Sequence, residues 1–161
     1  MISKSEWLKD ISDMHDKFEA KEWIDHMYLT KNYKLLDQFL AFRLDFIEEE
    51  FEETIAAFAQ KDHKEVADGL IDLIVVAIGT LDLFDMNADA IWSKVYKANI
   101  NTSRPNPFGL PDMVKPEGWK APKITDADCG MLPEIFKNLI TTPDQYKSKK
   151  IKTKEGDFFS E

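Results

Sequence analysis

RLDFIEEEFEETIAAF, residues 43–58, sets five glutamates, Glu48, Glu49, Glu50, Glu52 and Glu53, among Phe46, Ile47, Phe51, Ile55 and Phe58. The apolar residues recur at three- and four-residue steps with no Gly or Pro between them, which is the period of an amphipathic α-helix. Continued upstream through Leu36 and Leu40, the pattern predicts a helix from about Tyr33 to Ala59 with one apolar side. A solvated face accounts for Glu48 and Glu52. Glu49 and Glu53 lie four apart and Glu50 lies three from Glu53, so on a helix three carboxylates converge on one patch.

The segment QKDHKE then reads as a turn into a further helix, about His63 to Phe84. Its stretch LIDLIVVAIGTLDLF is apolar on nearly every side, which suits the centre of a bundle or a subunit interface. Asp68 and Asp72, again four apart, interrupt it. Flanked by Leu70, Ile71, Leu73 and Ile74, Asp72 is an expensive buried anion unless it is paired or bound to a metal. Two helices joined by a short turn pack side by side, and the five carboxylates can then face one another. Such a cluster needs cations. Magnesium prefers oxygen ligands and shares them with substrate phosphates, and manganese also fits. A di-iron centre requires Glu-x-x-His pairs, and His15, His26 and His63 all lack a glutamate three residues before them. The competing structural reading makes the glutamates a charged outer face and gives Asp72 a lysine partner or a capping role.

Outward from this pair, Trp7, Ile11, Met14 and Phe18 predict a helix over about residues 5–19, N-capped by Ser5 and followed by a short polar break. Asn87 is placed to cap a fourth helix, Ala88 to about Ala98, burying Ile91, Trp92 and Val95. No period-two strand and no internal repeat is evident. Between residues 100 and 132, five prolines and three glycines predict a long loop, and long ordered loops are often functional. A short helix, Pro133 to Ile140, follows. Beyond Tyr146 the lysine-rich KSKKIKTKEGD reads as a mobile tail, or as a contact for an acidic partner or a phosphate. The expected architecture is one all-α domain, residues 1–140, with a four-helix-bundle-like core, a long Pro-rich loop and a short C-terminal helix; residues 141–161 are the tail.

With 161 residues, 43% of them hydrophobic, the chain suffices for one sizeable core. A formal net charge of -9 argues against general affinity for nucleic acid or anionic membranes. The single cysteine, Cys129, has no partner for an internal disulfide and no zinc-spaced neighbours. The N-terminus lacks a signal-peptide apolar stretch, and the longest apolar run, Leu73 to Leu81, is far short of the roughly 20 residues that cross a bilayer. A soluble, cytoplasmic protein is expected.

RLDFIEEEFEET, then VADGLIDLIVVAIGT, then VYKANINTS resemble the MazG-type all-α nucleoside triphosphate pyrophosphohydrolases, relatives of the phosphoribosyl-ATP pyrophosphohydrolases, and especially their short phage-like forms. The likeness runs from about residue 10 to 124 and includes VKPEGWKAP, similar to the family's loop after the last core helix. The family pattern is Glu-Glu-x-x-Glu on one helix, Glu-x-x-Asp on the next, then Asn-x-x-Lys. Glu49, Glu50 and Glu53 match the first element and Asp72 the aspartate of the second. Gly69 stands where the family has glutamate, with Asp68 the natural substitute and Glu65 the second choice; Thr102 stands where the family has lysine.

The resemblance implies magnesium-dependent hydrolysis of a nucleoside triphosphate, more specifically a deoxynucleoside triphosphate, between the α and β phosphorus atoms. It implies metal ligation by Glu49, Glu50, Glu53, Asp68 and Asp72, with Glu50 as general base. Asn99 would orient a phosphate or sugar oxygen, and phosphate contact would fall to Lys97, Arg104, Lys115 or Lys120, each of which is otherwise a solvated surface charge. Trp119, Trp23 and Phe18 are base-stacking or packing residues. The all-apolar helix needs cover from a second copy, so a homodimer or homotetramer is expected, as the resemblance also implies. The rival readings are a non-catalytic acidic partner-binding bundle, and a metal-dependent phosphatase that releases orthophosphate.

Overall fold

A computed structural model describes residues 4–103, 107–111 and 113–139. Its helices are α1 (Lys4–Lys17), α2 (Ala20–Leu29), α3 (Tyr33–Gln60), α4 (His63–Leu83), α5 (Ala88–Ile100) and α6 (Leu132–Asn138), with a 3-10 turn at Asp126–Asp128. Among the described residues the only β pairing is an isolated bridge between Ser103 and Val114. The all-α expectation holds, and no helix among the described residues is long and apolar enough to cross a membrane. The lysine-rich tail lies outside the described residues.

The long antiparallel pair α3 and α4 forms the spine, with α1 and α2 packed along it and α6 closing one end. The core at that end joins Ile24, Leu36, Leu40, Leu83, Phe84, Met131 and Ile135. Trp23 meets Phe39 edge-on, with ring centroids 5.2 Å apart. Gly130 brings the returning loop against α4: its φ is +56°, and a Cβ there would stand 2.1 Å from the Phe84 carbonyl oxygen. The next residue, Met131, donates its N–H to that same oxygen at 2.9 Å.

Three expectations need correction. The polar break after the first helix is the two-residue step Phe18–Glu19, with Glu19 at φ 56°, and α2 follows at once. Lys21, Glu22 and Asp25 make one face of α2 polar, while Ile24 is fully buried and Trp23, Met27 and Tyr28 pack beside it. Second, α1 begins at Lys4, which puts Ser5 inside the helix and not at its cap. Third, Trp92 is exposed and not buried on α5; that helix is held instead by a Lys94–Asp128 ion pair and by the Trp119 indole N–H, which donates to the Ala98 carbonyl at 2.8 Å. Lys94 and the Thr125 N–H and hydroxyl hold the Asp128 carboxyl below its ordinary range.

On α3 the apolar side expected from the sequence is only partly covered by this chain. The buried residues of this helix are Leu36, Leu40, Ala41, Thr54 and Ala57. Phe51, Ile55 and Phe58 are 53, 51 and 60% exposed, so the apolar stripe from Phe51 onward points away from this chain's own core.

The C-terminal half of α4 is locked from two sides. Arg43 of α3 donates Nε to Thr80 Oγ1 at 3.1 Å and Nη2 to the Val76 carbonyl at 3.0 Å. His15 of α1 bonds through Nδ1 to Asp82 Oδ2 at 2.8 Å. Gly79 makes room for both: a Cβ there would lie 2.7 Å from Arg43 Nη2 and 3.1 Å from the His15 ring. This lock fixes the register of α4 on α3, and hence where the acidic half of each helix meets the other.

Candidate active site

Two residues turn the chain from α3 to α4. Lys61 ends α3 in the left-handed region at φ 60°, and the Asp62 carboxylate caps α4 by accepting the N–H groups of Lys64 and Glu65 at 3.1 and 3.2 Å. So short a link forces the helices antiparallel. They come close at Thr54 and Gly69, both buried: a Cβ on Gly69 would stand 2.2 Å from Thr54 Oγ1. The Thr54 hydroxyl donates to the Glu50 carbonyl at 2.7 Å, which keeps it folded down against α3.

Beside this contact the helices frame a hollow of about 230 Å³, lined by Glu50, Glu53, Glu65, Asp68 and Asp72 together with Gln60. Four of the five carboxylates picked out by spacing therefore share one cavity. Glu49, exposed, does not line it but is near enough to act on Glu50. Burial raises the Glu50 carboxyl above its ordinary range, and the negative charges of Asp72, Glu53, Glu49 and Asp68 push it the same way. Asp72 is half-buried, so the cost of its charge is moderated by the opening of the hollow to solvent. Glu48 and Glu52 stay outside it.

The position of Gly69 has a steric reason. A glutamate there would have to pass through Thr54, whereas Asp68, one residue earlier, turns into the hollow with Glu65 one turn behind it. Both substitutes weighed from the sequence reach the cavity. Thr54 and Gln60 were not singled out by sequence; a small polar residue opposite a helical glycine was the available signal for Thr54.

The substrate-side residues lie elsewhere. A second groove, about 420 Å³, is lined by Trp119 and Lys120 with Ala98, Asn101, Pro116 and Glu117. Lys115 covers the Trp119 ring, its Nζ 4.5 Å from the centroid. Lys97 and Asn99 are exposed on the last turns of α5, and the Asn99 carbonyl accepts from the Thr102 hydroxyl at 2.7 Å. None of these residues lines the acidic hollow. Arg104 lies outside the described residues. Trp23 is a packing residue, and Phe18 is exposed at the end of α1.

The donor set is all oxygen and bears one sign of charge, which suits a hard divalent cation. No three acidic, histidine or cysteine side chains among the described residues are already drawn together as a metal-binding group. A family model described as phosphoribosyl-ATP pyrophosphohydrolase matches residues 11–99. No curated protein and no solved structure matches.

Proposed function

The chain belongs to the phosphoribosyl-ATP pyrophosphohydrolase family, and from that premise we propose that it hydrolyses a nucleoside triphosphate, in the first place a deoxynucleoside triphosphate, between the α and β phosphorus atoms. Opening an acid anhydride of a nucleotide is the family's chemistry; the substrate and the metal are the finer reading. The observation that carries it is the convergence of Glu50, Glu53, Asp68 and Asp72 on one hollow between α3 and α4. A partner-binding acidic bundle would spread its charge over the surface, whereas here the carboxylates concentrate at a helix–helix contact.

Glu49, Glu50, Glu53, Asp68 and Asp72 would hold magnesium, with manganese as the alternative. When bound, the metal supplies charge neutralisation of the polyphosphate and electrophilic activation of the anhydride. Their mutual repulsion is the fit: Glu50 is surrounded by four negative charges that a divalent cation would offset. Glu50, with its carboxyl raised above its ordinary range, accepts the proton of the attacking water. The water oxygen bonds to the α phosphorus, the bridging P–O bond breaks, and pyrophosphate leaves with the electron pair. Lys97, Asn99, Lys115, Lys120 and Trp119 would meet the substrate from the α5 and loop side, and Arg104 is a further candidate for phosphate contact on its sequence alone. Assembly as a homodimer or homotetramer would bury Phe51, Ile55 and Phe58, which this chain alone leaves open.

The test is product analysis after incubation with magnesium and a panel of ribo- and deoxyribonucleoside triphosphates. Monophosphate and pyrophosphate should appear in equal amounts, fastest from a deoxynucleotide. Diphosphate and orthophosphate as main products would make the protein a phosphatase instead.

A further inference from the structure

On the face of α4 that adjoins the acidic hollow, Ile71, Ile74 and Val75 face Trp7 and Met14 of α1 across an apolar groove of about 200 Å³. Asp10 is the one charged residue that lines it. Lys9 of the same helix pairs with Asp13 and feels the charge of Asp10 only as a weaker, longer-range attraction, and among the described residues no hydrogen bond holds the Asp10 carboxylate. The two cavities share one stretch of helix. Asp68 and Asp72 line the first, and Ile71 and Val75, each three residues further on, line the second. Residues three apart are neighbours on a helix, and the stretch 68–75 rises only about 10 Å, so a ligand whose charged end sits at the carboxylates has an apolar slot within its own length.

We infer that this groove takes the nucleobase of the substrate whose phosphates meet the acidic hollow, and that Asp10 reads the base's hydrogen-bonding edge in favour of guanine. The inference rests on the function proposed above and adds the identity of the base. An indole and a thioether are suited to the faces of a flat heteroaromatic ring. A carboxylate offers acceptors only, so it selects an edge that presents donors. Guanine presents two side by side, its ring N1–H and its exocyclic amino group, and can engage both carboxylate oxygens at once. Adenine and cytosine offer an amino group next to an acceptor. Thymine and uracil offer one N–H between two carbonyls that would repel the carboxylate.

The experiment is calorimetric titration, with magnesium, of the α,β-methylene analogues of dGTP, dATP and dTTP, and of inorganic tripolyphosphate, into the parent, Asp10→Asn, Trp7→Leu and the same-helix control Asp13→Asn. The parent should bind the guanine analogue about tenfold more tightly than the thymine analogue, the worth of a charge-assisted hydrogen bond. Asp10→Asn should abolish that preference, Trp7→Leu should weaken all three nucleotides and leave tripolyphosphate alone, and Asp13→Asn should match the parent. Equal binding of the three bases by the parent, or a guanine preference that survives in Asp10→Asn, overturns the assignment even if tripolyphosphate binds. Retained guanine preference with no tripolyphosphate binding supports the groove and overturns the phosphate reading of the hollow. Absence of binding by any of these ligands overturns both.

Discussion

Glu52 and Glu53 are adjacent on α3, both exposed, and differ in what they face: Glu53 lines the hollow and Glu52 does not. Replacing Glu53 with Gln, or Asp72 with Asn, keeps the shape and removes the charge. Each change should lower turnover by roughly a hundredfold or more, the usual scale for deleting one group that stabilises developing charge. Glu52→Gln should leave turnover near the parent value. Steady-state kinetics on the three variants decides it, and an inactive Glu52→Gln would mean that the helical register is misassigned. That register was legible from the sequence, because spacing on a helix fixes which side chains share a face. Trp119, Lys115 and Lys120 were not legible in the same way. They sit on a Pro-rich segment with no period, and the direction a loop takes depends on contacts such as the bond from Trp119 to the Ala98 carbonyl, which no local pattern announces.

The α3–α4 contact turns on Gly69. In an isolated helix, alanine is favoured over glycine by about 1 kcal/mol. Here the added methyl would meet the Thr54 hydroxyl, and overpacking of this kind costs about 1–3 kcal/mol. Gly69→Ala should therefore melt a few degrees below the parent despite its better helix propensity, while adding Thr54→Ala should recover most of the loss. Thermal unfolding of the single and double variants measures this, and strictly additive changes would show that the two side chains do not meet. The long helices were readable from their apolar period. The ten-residue α2 was not, because Lys21, Glu22 and Asp25 outweigh Ile24 and Trp23 in so short a window; its helical state is decided by burial in the core. The same limit applies to Phe51, Ile55 and Phe58. A period identifies an apolar face and does not say whose core it joins.

For the molecule as a whole, five carboxylates on two packed helices are a stored repulsion that cations should relieve. A ligand bound only by the folded state adds about 2.7 kcal/mol at roughly a hundred times its dissociation constant, enough to raise a melting temperature by several degrees. Magnesium should give such a shift, sodium at matched ionic strength much less, and Asp72→Asn a weak response to either. The effect should also grow with pH. Because the Glu50 carboxyl is raised, the folded apo protein holds that proton more tightly than the unfolded chain. The associated stability is present below the ordinary carboxylate range and is lost as pH rises through the raised value, which leaves more repulsion for magnesium to remove. Scanning fluorimetry across pH tests both statements. Equal shifts with magnesium and sodium, in parent and variant alike, would reduce the cluster to a solvated face.

The two-residue link between α3 and α4 also bears on the order in which the chain folds. Glu49 and Asp72, the outermost of the five carboxylates, are 23 positions apart along the chain, whereas Ile135 of α6 meets a core that begins with Ile24. Closing a short loop sacrifices little chain entropy, and contacts of small sequence separation form fastest. The hairpin that gathers the carboxylates is thus the part of the molecule expected to form early, with the docking of α6 as a later event. Charge repulsion would then slow the first step of folding more than the last, and a divalent cation in the refolding buffer would act as an accelerant as well as a stabiliser.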